Sequence, residues 1–118
     1  MEDFHVTLRK LTVRDDHFVD EVLGSERANI AASGLDAKVH AFVQIGGLIA
    51  VDAAPQSYAS CVEGARHAGA TEEELVGALI AVIPVVGVPR VVSAAPKLGL
   101  ALGYDLDAAL ENEFGADD

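Results

Sequence analysis

The sequence predicts an all-α protein, and three observations support this fold class. The apolar residues, 51% of the chain, are mostly Ala, Val, Leu and Ile, and only 5% of residues are aromatic, which suits close-packed helices. Apolar positions recur at helical spacing, and residues that cap helices stand at the ends of the apolar segments. Beyond the first residues no segment alternates as a strand does. We therefore predict a single-domain bundle of five to six helices.

The N-terminal part divides into an arm, residues 1–14, and a first helix, Asp15 to Ser33. Apolar and polar residues alternate in the arm, but no second strand is present to pair with it. We therefore expect an irregular or short helical arm that lies on a neighbour. Asp15 or Asp16 caps the first helix, a break or bend is expected at Gly24 and Ser25, and Gly34 ends the helix.

The second helix begins at Asp36 as N-cap and ends between Asp52 and Pro55. Its paired glycines, Gly46 and Gly47, each cost on the order of 1 kcal/mol in a helix. Because close helix contact usually offsets that cost, we expect another helix to pack there. The third helix then runs from Pro55 to about Ala68.

The turn after the third helix has strong sequence signals. Gly69 suits the left-handed conformation that closes a helix, Thr71 is a good N-cap, and Glu74 is its capping-box partner. The fourth helix follows, and Pro84 is expected to kink or end it. Pro89 opens a fifth helix that Pro96 kinks or splits.

A short acidic helix capped by Asp105 completes the predicted domain, residues 15–114, and residues 115–118 are expected to be a frayed tail. The fourth and fifth helices carry more apolar surface than so small a monomer can hide. We therefore predict a homo-oligomer.

Composition excludes several functions. The formal net charge of −11 leaves no basic patch to release counterions from nucleic-acid phosphates, and it opposes binding to anionic membranes. The longest uncharged run, 75–89, is too short to span a bilayer. The single cysteine, Cys61, cannot form an internal disulfide and fits a reducing cytoplasm. Glu2, Asp3 and His5 interrupt any signal-peptide pattern.

No metal or cofactor is predicted. The four histidines and one cysteine are scattered and lack the spacing of HxxxH or CxxC ligand pairs. Gly46 and Gly47 lie inside a helix with no strand before them, so they do not form a phosphate-binding loop.

With the helices placed, Leu35 to Gly103 resembles the carboxymuconolactone decarboxylase family, which includes the alkylhydroperoxidase D group. The resemblance is carried by LDAKVHAFVQIGGLIAVDA, GATEEEL and VVGVPRVVSAAPKLGLAL. It implies an all-α fold that assembles as trimers or hexamers, with sites near subunit contacts.

Several functional positions of that family are replaced in this chain. Both branches have a His eight residues before the Gly of the Gly-x-Thr turn, and Cys61 stands there. The peroxidase branch has a Cys-x-x-Cys pair where this chain has Ala54 and Ser57, and its acidic relay residue falls at Phe42. A dithiol mechanism requires two thiols and a base, so we predict that this chain is not a dithiol peroxidase. His40 partly matches the basic residue near the start of the second helix.

Five residues are candidates for a site, each with a simpler alternative. The candidate catalytic residues are His40, Tyr58 and Cys61. If they are not catalytic, His40 is a structural histidine and Cys61 is a small buried hydrophobe. In the same case Tyr58 packs at a subunit contact with its hydroxyl in solvent. Ser57 and Arg90 are candidate substrate-binding residues. Arg90 is the only charge between Leu75 and Ala95, and it binds either a substrate carboxylate or an acidic group of another subunit.

Three functional hypotheses follow. By resemblance, the chain is a cofactor-independent decarboxylase or lactone-handling enzyme for a small carboxylated molecule, with His40 or Tyr58 transferring the proton and Arg90 holding the anion. Alternatively it is a non-catalytic oligomeric binding or scaffold protein that has lost the family's catalytic residues. A third hypothesis is residual peroxide or thiol reactivity at Cys61.

Overall fold

A computed structural model describes residues 3–115, and all regular structure in that range is helical. The elements in chain order are α1 (Phe4–Thr12), α2 (Asp16–Gly24), α3 (Glu26–Ser33), α4 (Ala37–Ala50), α5 (Pro55–His67), α6 (Glu72–Val86), α7 (Val88–Ala101), α8 (Leu106–Leu110) and a π-helical turn (Glu111–Gly115). The all-α prediction is confirmed. The described range contains eight α-helices rather than five or six, because the arm is helical and the first predicted helix is divided. Residues 116–118 of the predicted tail lie outside the described residues.

Capping side chains set the helix ends that the sequence predicted. The Asp15 carboxylate accepts from the Phe18 backbone N–H at 3.0 Å and begins α2. Ser25 divides the first predicted helix, because its backbone is extended and its hydroxyl caps α3 instead. Gly34, in the left-handed conformation with φ 70°, ends α3. Asp36 begins α4 by accepting from the Val39 backbone N–H at 2.9 Å.

The chain divides between His40 and Ala41 into two compact units. The first unit contains α1 to α3 and the start of α4, with Phe18 and His40 as its buried side chains among the described residues. The second contains the rest of α4 and the helices after it. This boundary falls inside α4, whereas the sequence placed a boundary after the arm.

The second unit holds a continuous hydrophobic core. In it, α7 packs against both α5 and α6. Val82 of α6 also lies beside Gly46 of α4, 3.7 Å from where a Cβ would stand, so a helix does pack at the paired glycines. The largest fully buried side chains of this core come from α4 to α7 and are Ile45, Ile49, Tyr58, Val62, Leu75 and Leu98.

The predicted turn between α5 and α6 is confirmed. Gly69 has φ 93°, and the Thr71 hydroxyl and the Glu74 carboxylate form a complete capping box. Within residues 3–115 none of the helices combines the length and apolarity needed to cross a membrane.

The internal prolines neither end nor split their helices. Both α6 and α7 continue through Pro84 and Pro96 respectively. Each proline removes one backbone hydrogen bond, to the carbonyl four residues earlier. Those carbonyls belong to Ile80 and Val92, which are exposed residues, so water can satisfy them.

Candidate functional site

A charged side chain stands at the turn between α4 and α5. Asp52 has φ 54°, a left-handed conformation that is uncommon for residues other than glycine. Its backbone N–H bonds to the Ile49 carbonyl, and the Ala53 N–H bonds to the Leu48 carbonyl, which is the Schellman pattern that ends many helices. Glycine usually occupies this position, so the presence of aspartate there calls for a role of its side chain.

The Asp52 carboxylate is held by three side chains from one face of α7. Arg90, Ser93 and Lys97 are spaced by three and four residues, which places them in a row along the helix. Ser93 Oγ and Lys97 Nζ donate to Asp52 Oδ1 at 2.7 and 2.9 Å. Arg90 Nη1 lies 3.5 Å from Asp52 Oδ2. We call these four residues, Asp52, Arg90, Ser93 and Lys97, the Asp52 cluster.

The electrostatics of the Asp52 cluster keep its carboxylate ionised. The hydrogen bond from Ser93, then that from Lys97, lower the pKa of Asp52 below its usual value. Lys97 Nζ also donates to the Ala53 carbonyl at 2.9 Å, so this ammonium group is fixed by two partners. The cluster joins the α4–α5 turn to α7 and contains two cations for one anion.

Tyr58 of α5, the helix that packs against α7, is completely buried. Its side chain is 0% exposed, and within residues 3–115 its hydroxyl has no hydrogen-bond partner. Burial, and then the negative charge of Asp52, raise the pKa of Tyr58 above its usual value. The phenol is therefore neutral at physiological pH and has a proton to donate. The hydroxyl does not reach solvent, in contrast to the alternative role that the sequence offered for Tyr58.

His40, in the first unit, is engaged through both ring nitrogens. Nε2 lies 2.7 Å from Asn29 Oδ1, and Nδ1 lies 3.6 Å from Glu26 Oε1. The residue is buried, with 4% of its surface exposed. These contacts join α3 to the start of α4 and give His40 a structural role in that unit.

The remaining two candidates differ from each other in burial. Cys61 is half-buried on α5, and its Sγ donates to the Ala41 carbonyl at 3.6 Å. Ser57, near the start of α5, is exposed. Neither residue is hydrogen-bonded to the Asp52 cluster. Of the five predicted site residues, Arg90 lies against Asp52, and Tyr58 lies on α5, the helix that packs against α7.

We expect Cys61 to react with an aromatic disulfide reagent much more slowly in the native chain than in urea, because its thiol is half-buried and donates to a backbone carbonyl. Absorbance of the released thiolate measures the rate. The double variant S60C/C61A is the matched control, since Ser60 is exposed on the same helix and a thiol there should react quickly. Equal rates in the native and unfolded states would instead support the reactive-thiol hypothesis.

Sequence reasoning did not identify Asp52, Ser93 and Lys97. A signal was present, because polar residues at 90, 93 and 97 share one face of an otherwise apolar helix. The partner was harder to find, since Asp52 lies far from α7 along the chain. The sequence predicted either a substrate carboxylate or an acidic group of another subunit as the partner of Arg90, and the structure places a carboxylate of the same chain 3.5 Å from it.

Among the described residues, no three His, Cys, Asp or Glu side chains gather into a group that would hold a metal ion. The Asp52 cluster has a single carboxylate and two cations, and so its chemistry suits an anion rather than a metal.

Comparisons with known proteins identify the family. The carboxymuconolactone decarboxylase family model matches residues 17–98, a segment that includes Tyr58 and the whole Asp52 cluster. No curated protein and no solved structure matches the chain. Since the match covers well over half of the sequence and the helical architecture agrees with it, the chain belongs to the carboxymuconolactone decarboxylase family.

Proposed function

We propose that this chain is a cofactor-independent enzyme of decarboxylase or lactone-handling type that acts on a small carboxylated molecule. The observation that carries the proposal is the buried hydroxyl of Tyr58, which has no hydrogen-bond partner within residues 3–115 and lies on α5, the helix packed against the α7 helix that bears Arg90. A buried polar group without a partner costs about 1–3 kcal/mol, so its retention indicates a use. Family membership supports the reaction class.

Tyr58 is the proton donor in this proposal. When the bond between the substrate carbon and its carboxylate breaks, carbon dioxide leaves and the electron pair passes into an adjacent carbonyl of the substrate. Because Tyr58 is completely buried, the step requires a local opening that admits the substrate; the substrate carbon then takes the phenolic proton, and water admitted by the same opening returns a proton to the phenolate. A phenol is protonated at neutral pH, so Tyr58 carries a proton when the carbanion forms.

Arg90 is the anion-binding residue. Its side chain is half-exposed at 50%, and its guanidinium lies 3.5 Å from Asp52 without a hydrogen bond to it. Its planar donors match the geometry of a carboxylate. We do not assign the proton transfer to His40, because its ring nitrogens already contact Asn29 and Glu26.

Turnover of a panel of small β-keto acids, unsaturated dicarboxylates and carboxylated lactones tests the proposal, with carbon dioxide release and proton NMR as readouts. We expect one compound class to be converted, and R90Q to raise the KM because it removes the charge that holds the carboxylate. R27Q is the matched control, the same Arg to Gln change at an exposed residue outside the cluster. Absence of turnover across the panel would contradict the proposal.

A second function is favoured by a different observation. His40 and Cys61, two of the three candidate catalytic residues, are held in internal contacts with Asn29 and with the Ala41 carbonyl. Such contacts are typical of structural residues, and they support the hypothesis that the chain has lost the family's catalytic residues. In this alternative the chain binds a ligand or a partner without turnover, and panel compounds bind but are recovered unchanged.

We also propose that the chain forms a homotrimer or homohexamer through α6 and α7, in the cytoplasm that its single cysteine suits. Large apolar side chains are exposed on both helices, among them Val76 and Ile80 on α6 and Val88 and Val92 on α7. A groove of about 690 Å³ adjoins them. Its apolar lining includes Val76, Leu79, Ile80, Leu98, Leu102 and Leu106. Exposed apolar area of this kind marks an interaction surface.

We expect I80E to shift the oligomer to a lower molar mass, because Ile80 is 68% exposed and a buried unpaired carboxylate at a subunit contact is strongly unfavourable. Light scattering coupled to size exclusion measures the mass. A81E, one residue further along the same helix and also exposed, is the control for added charge. A wild-type mass equal to one chain would contradict self-association.

A further inference from the structure

The donors around Asp52 form a set that suits any carboxylate. Oδ1 accepts from Ser93 Oγ at 2.7 Å and from Lys97 Nζ at 2.9 Å, while Oδ2 faces Arg90 Nη1 at 3.5 Å. Both carboxylate oxygens therefore have a cationic partner. A free carboxylate placed at the same point would find the same partners, because nothing in these contacts depends on the chain to which the carboxyl group is attached.

The Asp52 side chain does not make the hydrogen bonds that close its own turn. It is 36% exposed and stands at the end of a helix. The bonds that close the turn are made by backbone groups, the N–H groups of Asp52 and Ala53. Rotation of the side chain toward solvent would therefore leave the turn closed.

The donors would remain in place after such a rotation. Lys97 Nζ keeps its bond to the Ala53 carbonyl, and Ser93 and Arg90 stay on the same face of α7. The three groups would then carry two positive charges with no anion between them. A site in this state attracts a carboxylate more strongly than a neutral ligand.

We infer that Arg90, Ser93 and Lys97 form a carboxylate-binding site that Asp52 fills from within the chain, and that a ligand carboxylate binds by displacing Asp52. The inference rests on the proposed function, because it takes from it the class of ligand, which is small carboxylated molecules. One carboxylate replaces another, so hydrogen bonds and charge balance at the site are conserved. The tethered Asp52 competes with the ligand, and so the wild-type chain binds carboxylates more weakly than its donors allow.

Acetate titrations followed by amide NMR shifts test this inference, with sodium chloride holding the ionic strength constant. The variant D52G removes the competing carboxylate, and glycine suits the φ of 54° at this turn. We expect D52G to bind acetate at least tenfold more tightly than wild type, with shifts centred on residues 90–97. The double variant D52G/K97M should lose that gain.

A second variant covers the case in which D52G does not fold. D52N keeps a side chain of the same shape but without charge, so it should also bind acetate more tightly than wild type. Equal acetate affinity in wild type and in the folded Asp52 variants would overturn the inference, because it would show a purely structural ion pair. Tighter binding by D52G with no panel compound converted would leave the inference standing while the proposed enzyme fails. Conversion of a panel compound without tighter acetate binding by D52G would support the proposed enzyme and overturn the inference.

Discussion

Truncation of Leu75 to alanine is expected to lower the free energy of unfolding by about 2–5 kcal/mol. Leu75 is 0% exposed and is part of the core that α4, α5, α6 and α7 share. The loss combines the transfer free energy of the removed groups with the cavity that they leave. Because the free energy of unfolding of a small domain is only about 5–15 kcal/mol, this single change removes a large part of it. Urea denaturation followed by circular dichroism measures it.

Leu23→Ala is the matched control for this measurement. Leu23 is 76% exposed on α2, so the same chemical change should alter stability by no more than about 0.5 kcal/mol. A similar loss in both variants would show that Leu75 is not a core residue.

The variant Y58F is expected to separate catalysis from stability. Removal of the phenolic proton should lower kcat by about 10²- to 10⁴-fold on the panel compound that the wild type converts, because the proton donor is lost. The KM should change little, since Arg90 remains to hold the anion. The free energy of unfolding should be unchanged or higher, because the buried hydroxyl has no partner among the described residues.

Tyr104→Phe provides the control for Y58F. Tyr104 is more than half exposed, so loss of its hydroxyl should change neither turnover nor stability. If Y58F keeps full activity, the proton comes from another group. If Y58F is strongly destabilised, the hydroxyl has a structural partner and is not held for a substrate.

Local signals in the sequence were sufficient to predict most of the helices. The capping residues Asp15, Asp36, Thr71 and Asp105 each act at the helix start that they predicted. Caps are reliable because a side chain bonds to a backbone group only two or three residues away. The sequence predicted a kink or an end at Pro84 and a kink or a split at Pro96; the end and the split were wrong, because the cost of a proline depends on whether the released carbonyl meets solvent, which the sequence does not show.

The candidate site was only partly predictable. Arg90 was chosen because it is the only charge between Leu75 and Ala95, and Tyr58 because its hydroxyl could bind a carbonyl or carboxylate in a pocket; both roles stay predictions. Asp52 was not chosen, because its importance depends on contacts with Ser93 and Lys97, which lie more than forty residues away along the chain. Helical periodicity places side chains on a face, but it does not say which turn lies against that face.

The left-handed turn at Asp52 also has an evolutionary consequence. Only a few residue types, chiefly glycine, asparagine and aspartate, adopt such a conformation at low cost, so the accessible substitutions at this position are few. Aspartate and glycine are separated by one nucleotide in the genetic code. A lineage can therefore gain or lose the carboxylate at this turn in a single mutational step.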